Sequence, residues 1–285
     1  MVEIASGAAR LALAPEWGGA IAALSVGGRP VLRSWTGDVS AGPFALASNI
    51  LLPFSKRISG GGFSFDGIRH SIPPNLDGEA LPIHGDAFQR AWQVAEVGNG
   101  RARLDLADGA IGPFRYSAQQ RFRLTVDALL IEVMVRNDGS ETLPFGCGFH
   151  PWFPRTADTR LGFEAGGAWT EDARHLPVEH VILTDRPDLD FASPRPLPDD
   201  FFNMCFTQWT GRATIRQGPR AVGLEVSATE ALRHAIVYSP GHEADFFCFE
   251  PVSHPVDAFN IDGRPGLEIL APGQTLVGTT TLAWL

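Results

Sequence analysis

The stretch Phe122-Arg-Leu-Thr-Val-Asp-Ala-Leu-Leu-Ile-Glu-Val-Met-Val-Arg-Asn137 sets the fold class. Within it Leu129, Ile131, Val133 and Val135 fall on one side of an extended chain, with Glu132 and Arg136 on the other. Successive side chains of a strand point to opposite faces, so this period of two predicts a half-buried β-strand. Comparable runs recur at Ile4 to Ala14, Ala20 to Leu24, Trp92 to Val97, Ala102 to Leu106, Arg115 to Arg121, Gly146 to Phe153, Arg233 to Tyr238 and Asp245 to Glu250. Arg212 to Gln217 and Ala221 to Val226 flank Gly218-Pro219 and read as a hairpin, and Thr275 to Leu285 reads as a closing strand. The 31 glycines and 22 prolines are spread over nearly the whole length and leave few windows for a sustained helix. Many short strands without helical periods between them predict an all-β sandwich or barrel and argue against a parallel α/β sheet.

A chain of 285 residues admits two domains by length alone. The strand patterns on either side of the proline-rich stretch from Pro187 to Asp200 are alike, so this stretch is expected to be a loop and residues 1–285 one domain. The glycine- and proline-rich segment from Ser55 to Ile83 reads as a second long loop, of the kind that usually carries function. The 23 basic residues stand against 32 acidic ones, and a net charge of -9 argues against a nucleic-acid partner. Only one of the basic residues, Lys56, is a lysine, so imine chemistry or a lysine-anchored pyridoxal cofactor has no other residue to use. Cys147, Cys205 and Cys248 form neither a disulfide framework nor a CxxC motif. With no secretory pattern at the N-terminus and no apolar run of about 18 residues, a cytoplasmic protein off the membrane is expected.

Four stretches set single polar groups in apolar surroundings. Arg57 follows the apolar run from Asn49 and precedes Gly60-Gly-Gly62, which suits either a ligand-approaching loop or a tight turn beside a solvated arginine. His84 lies between Pro82-Ile83 and Gly85 and is either structural or catalytic. His150 sits in Phe145-Gly-Cys-Gly-Phe-His-Pro-Trp-Phe153, where burial can tune its pKa. There Trp152 and Phe153 either wall a sugar ring or fill the core. Glu250 ends Asp245-Phe-Phe-Cys-Phe-Glu250, where desolvation would raise its proton affinity unless it emerges into water or pairs with an arginine. His70, His84, His150, His175, His180, His234, His242 and His254 contain no HxH or HExxH pattern, so no metal site is expected. No P-loop or GxSxG elbow is present, and glycosidase chemistry lacks an obvious second carboxylate.

In order, Asn49, Arg57-Ile58 with Gly62-Phe63, His84-Gly85, His150 with its aromatic pair, and Glu250 with Pro255, Asp257-Ala258 and Asn260 resemble the aldose 1-epimerase (galactose mutarotase) family. The stretch from Leu267 to Leu276 resembles that family's last strand pair. The resemblance implies a large antiparallel β-sandwich and a cofactor-free isomerase acting on a small-molecule sugar. It further implies that Glu250 is the general base on the anomeric hydroxyl and His150 the acid at the ring oxygen. His84 would assist at the anomeric centre, and Arg57, Asn49, Asn203 and Trp152 would contact the sugar. Three positions depart from the family: Asn203 replaces an aspartate, Asp86 a second glycine, and Trp152 a tyrosine. Two alternatives accompany this reading: an epimerase of a phosphorylated hexose using Arg57 and Arg90, and a carbohydrate-binding or regulatory module without turnover.

Overall fold

The computed structural model describes residues 1–285, with the side chain of Val39 set aside. Two antiparallel sheets carry the fold. The larger has 11 strands, and its centre runs Ala20–Val26, Ser48–Leu51, Gly148–Pro154, Phe246–Val252, His234–Ser239, Phe202–Thr207 and Gly167–Glu171 in spatial order. The smaller has 8 strands and includes Ala128–Asn137 between Phe114–Leu124 and Thr275–Trp284. Helical structure among the described residues is limited to 3₁₀ turns, and no helix is long and apolar enough to cross a membrane.

Alternation explains how the sheets meet. Leu129, Ile131, Val133 and Val135 are buried, and with Leu104, Phe122 and Leu282 they join one hydrophobic cluster with Ile50, Phe153, Phe247 and Phe249 of the larger sheet. Residues of the two sheets thus share a core, as expected of a sandwich. The stretch from Phe122 to Asn137 differs from the expected single strand. Phe122 to Leu124 end one strand, the Thr125 N–H bonds back to the Ala128 carbonyl, and the chain returns antiparallel with Leu124 opposite Leu129. Ile4 to Ala14 likewise divides into Val2–Ser6 and Ala9–Ala14.

The predicted hairpin pairs Arg212–Arg216 with Leu224–Ala228, a few residues later than its second strand was expected. The Pro187 to Asp200 stretch is a loop with Leu189, Phe191 and Leu197 buried. The Ser55 to Ile83 segment contains a short hairpin, Gly62–Phe65 with Ile68–Ser71.

Candidate active site

The site is built on the face of the larger sheet turned away from the shared core. In Phe246–Val252, Phe247 and Phe249 enter that core, so Cys248, Glu250 and Val252 face the opposite way. The register that pairs Gly148 with Val252 and Trp152 with Cys248 sets His150 across from Glu250. Asn49 pairs with His150 and Ile236 with Glu250, so these four side chains form one rung across the sheet. Trp152, Cys248, Tyr238 and Asn203 form the next.

Two loops cover these rungs and clasp each other. The Lys56 N–H donates to His84 Nδ1 at 3.0 Å, and the His84 N–H donates to the Lys56 carbonyl at 3.1 Å. Both residues hold the left-handed conformation, with φ of 56° and 62°, a backbone state that costs about 1–3 kcal/mol and concentrates at functional sites. Gly85 follows with φ 68°, and a Cβ there would collide with the Leu52 carbonyl. The carboxylate of Asp86 accepts bonds from Tyr116 Oη at 2.5 Å and Ala110 N–H at 3.1 Å, which anchors the His84 turn to the smaller sheet. On the other side, the Ser55 N–H donates to His254 Nε2 at 3.1 Å while His254 Nδ1 faces the Pro255 carbonyl at 2.8 Å. Those partners place the His254 proton on Nδ1, and burial pushes its pKa down to about 4.

The clasp sets Lys56 Nζ 2.9 Å from Glu250 Oε1, and His150 Nε2 lies 3.5 Å from the same oxygen. Glu250 is 0% exposed. Burial raises its pKa above the usual carboxylate value, opposed by the charge and hydrogen bond of Lys56, and its Oε2 has no partner. Both imidazoles are held neutral: burial first, then the Lys56 charge, takes His84 and His150 well below the ordinary value. Because His84 Nδ1 accepts a bond, its proton resides on Nε2.

A cavity of about 380 Å³ opens over this cluster, lined by Lys56, His84 and His150 together with Phe44, Arg57 and Asn203. Glu250 does not line it and lies behind Lys56 and His150. The site residues expected from the sequence are therefore brought together, but in altered relations. Arg57 reaches the cavity with its guanidinium fixed on Glu79, at 3.0 and 2.6 Å. Asn203 donates to Glu171 Oε2 at 2.7 Å, so a carboxylate stands directly behind the position where the family's aspartate was expected. Trp152 lines the cavity with little of its surface free: its ring stacks on His150 at 4.0 Å and lies under the Arg33 guanidinium at 5.2 Å. Asn49 is buried outside the cavity and donates to the Pro43 carbonyl at 3.0 Å, at the base of the loop that carries Phe44. Arg90 does not line the cavity and pairs with Asp108 at 3.2 Å and Asp86 at 3.8 Å.

Sequence reasoning missed Lys56 as a site residue, although its being the only lysine was a signal. It missed Phe44, which packs against His84, His150 and Trp152 at centroid distances of 5.8, 5.9 and 5.9 Å. Glu171 and Arg33 were also missed, and no local motif marks them. His150, Cys248 and Glu250 bring ligand-type atoms within 4.8 Å of one another. The Lys56 ammonium already occupies the cation's place on Glu250, so this donor set does not fit a metal ion.

The sequence profile of the aldose 1-epimerase family matches residues 1–283. The uncharacterised Escherichia coli K12 protein YphB is 34% identical over 243 residues, covering 82% of this chain and 83% of that protein. A crystal structure of an Escherichia coli K12 protein, described there as a candidate aldose 1-epimerase, superimposes with a TM-score of 0.92 at 31% identity, covering 99% of this chain and 98% of the other. A galactose mutarotase-like protein from Clostridium acetobutylicum shares the fold, with a TM-score of 0.87 at 18% identity over 99% of this chain and 94% of the other.

Proposed function

The chain belongs to the aldose 1-epimerase family, and on that premise we propose that it interconverts the α- and β-anomers of a free aldose by acid–base opening and reclosure of the sugar ring. The observation that carries this reading is a buried carboxylate, Glu250, in reach of two proton carriers that line the cavity, Lys56 at 2.9 Å and His150 at 3.5 Å.

Opening a cyclic hemiacetal removes a proton from O1 and delivers one to O5. Burial raises the proton affinity of Glu250, which suits it to hold the O1 proton. Since Glu250 lies behind His150, that proton reaches it through the imidazole: Nδ1 is sealed, so Nε2, 3.5 Å from Glu250 Oε1, is the nitrogen that accepts it and hands it on. The neutral His84 keeps its Nε2–H as a donor for the oxygen on which charge develops. Rotation about C1–C2 of the open aldehyde and the same transfers in reverse give the other anomer.

The rest of the cavity suits a neutral sugar. Phe44 offers an apolar wall, while Arg57 and Asn203 are held ready for hydroxyl groups by Glu79 and Glu171. For the phosphorylated-hexose alternative, Arg90 lies outside the cavity on Asp86 and Asp108 and the Arg57 charge is already balanced by Glu79, which leaves Arg33 as the arginine at the cavity wall without a carboxylate partner among the described residues. Polarimetry of freshly dissolved anomers tests the proposal: the protein should speed equilibration of at least one aldose, and a panel with no response would remove it.

A further inference from the structure

We infer that Lys56 is a catalytic residue of this reaction: its ammonium protonates the ring oxygen as the C1–O5 bond breaks, and Glu250 passes a proton back to it. The inference rests on the mutarotase reading above and assigns the acid that the neutral imidazoles do not supply.

Three observations converge on Lys56. Its side chain is buried yet reaches the cavity wall, so the one lysine of the chain is placed where a bound sugar would lie. Besides His84 and His150, the other basic side chains at the cavity are Arg33 and Arg57, whose guanidiniums do not give up a proton in a protein, and His175, which is held by Glu171 at 2.7 Å. The Lys56 backbone is held in the left-handed region by the two-way clasp with His84, which fixes the direction in which the side chain leaves the loop.

The titratable groups around it are Glu250 and Cys248 on Phe246–Val252, His150 on Gly148–Pro154, Cys205 on Phe202–Thr207, and His84 in the partner loop. Burial keeps both thiols and both imidazoles uncharged at neutral pH, so Glu250 is the group that exchanges protons with Lys56 directly.

The steps balance without a further reactant. The O1–H proton goes to His150, the C1–O5 electron pair moves onto O5, and O5 takes a proton from Lys56. The site then holds an imidazolium and a neutral amine, both against Glu250 Oε1. The imidazolium proton passes to that oxygen and on to Lys56 Nζ across the 2.9 Å contact, restoring imidazole, carboxylate and ammonium while the open-chain sugar is bound. Reclosure on either face of the aldehyde runs the same transfers backward.

Because the chain has a single lysine, labelling with [ζ-15N]lysine gives one side-chain resonance whose titration can be followed directly in the native protein. The expected result is that the basic limb of the kcat profile for mutarotation superimposes on the loss of the Lys56 ammonium. A rate that stays constant through that titration overturns the inference. Lys56→Arg supplies the second arm, because it keeps a positive charge beside Glu250 but cannot release a proton. Its kcat should fall at least about 100-fold with KM changed by no more than about threefold. Mutarotation by the wild type with an unimpaired Lys56→Arg rate would leave the proposed function standing and reduce Lys56 to a counter-ion. Absence of mutarotation by the wild type would instead overturn the proposed function itself.

Discussion

The Lys56 ammonium stands 2.9 Å from Glu250 Oε1, with the carboxylate fully buried and the lysine side chain between it and the cavity. Each charge depends on the other, because removing one partner strands the second in a medium that solvates it poorly. Glu250→Gln alone is therefore expected to destabilise the fold by about 3–5 kcal/mol. Adding Lys56→Met to it should restore most of that loss without restoring activity. Urea denaturation of the two single variants and the double variant checks this as a closed cycle; additive losses would show that the pair is not coupled.

Gly85 is the hinge of the clasp. Alanine there would need a left-handed backbone and would drive its Cβ into the Leu52 carbonyl. Gly85→Ala should cost at least about 2 kcal/mol and, by shifting His84, release Lys56 from its place. Thermal unfolding and polarimetry together test this. A stable variant with full activity would mean that the His84 turn does not position the site.

Acid sensitivity follows from histidines buried in their neutral form. Burial holds His254 and His234 near 4, against an ordinary value of 6.5. With the folded pKa below the unfolded one, the unfolded chain takes up protons first as pH falls. The stability each group contributes is fully present above about pH 6.5 and is lost progressively down to about pH 4. His254→Gln, which cannot titrate, should flatten the stability profile in that window even though its stability at pH 7.5 is lower. Denaturant midpoints measured between pH 7.5 and pH 4.5 decide the matter; parallel profiles for the two proteins would contradict it.

Phe44 packs against the two cavity histidines and Trp152, and is more exposed than Trp152. Phe44→Ala should raise KM roughly tenfold with little change in kcat, the signature of lost binding shared by ground and transition states. A fall in kcat at unchanged KM would place Phe44 in the chemistry instead.

Much of the frame is legible in the chain because a sheet imposes a local period. The alternation at Leu129, Ile131, Val133 and Val135 marks the buried face of a strand, and the same alternation separates Phe247 and Phe249 from Glu250. The hairpin break at Thr125 is harder to read, since Phe122 and Leu124 continue the apolar pattern into the turn and only Thr125-Val-Asp127 interrupts it. His84, His150, Arg57 and Glu250 carry recognisable local surroundings. Lys56 does not reveal its role that way, because the residue that gives it meaning lies 194 positions later. Glu171 behind Asn203 is concealed for the same reason: the carboxylate arrives from a neighbouring strand, 32 residues earlier in the chain. Sequence reasoning also placed Glu250 against the sugar, whereas register sets it beside His150 and the Lys56 side chain, arriving from a loop, covers it from the cavity.

In the proposed reaction a carboxylate sealed behind a lysine and a histidine drives anomer exchange. That role is tested most directly by the optical rotation of freshly dissolved α-anomers of several aldoses, followed with wild-type protein and with Glu250→Gln at matched folded concentration. The wild type should accelerate equilibration of at least one sugar, and Glu250→Gln should lose at least about 99% of that acceleration. Equal acceleration by both proteins, or none by the wild type with any aldose, would contradict it.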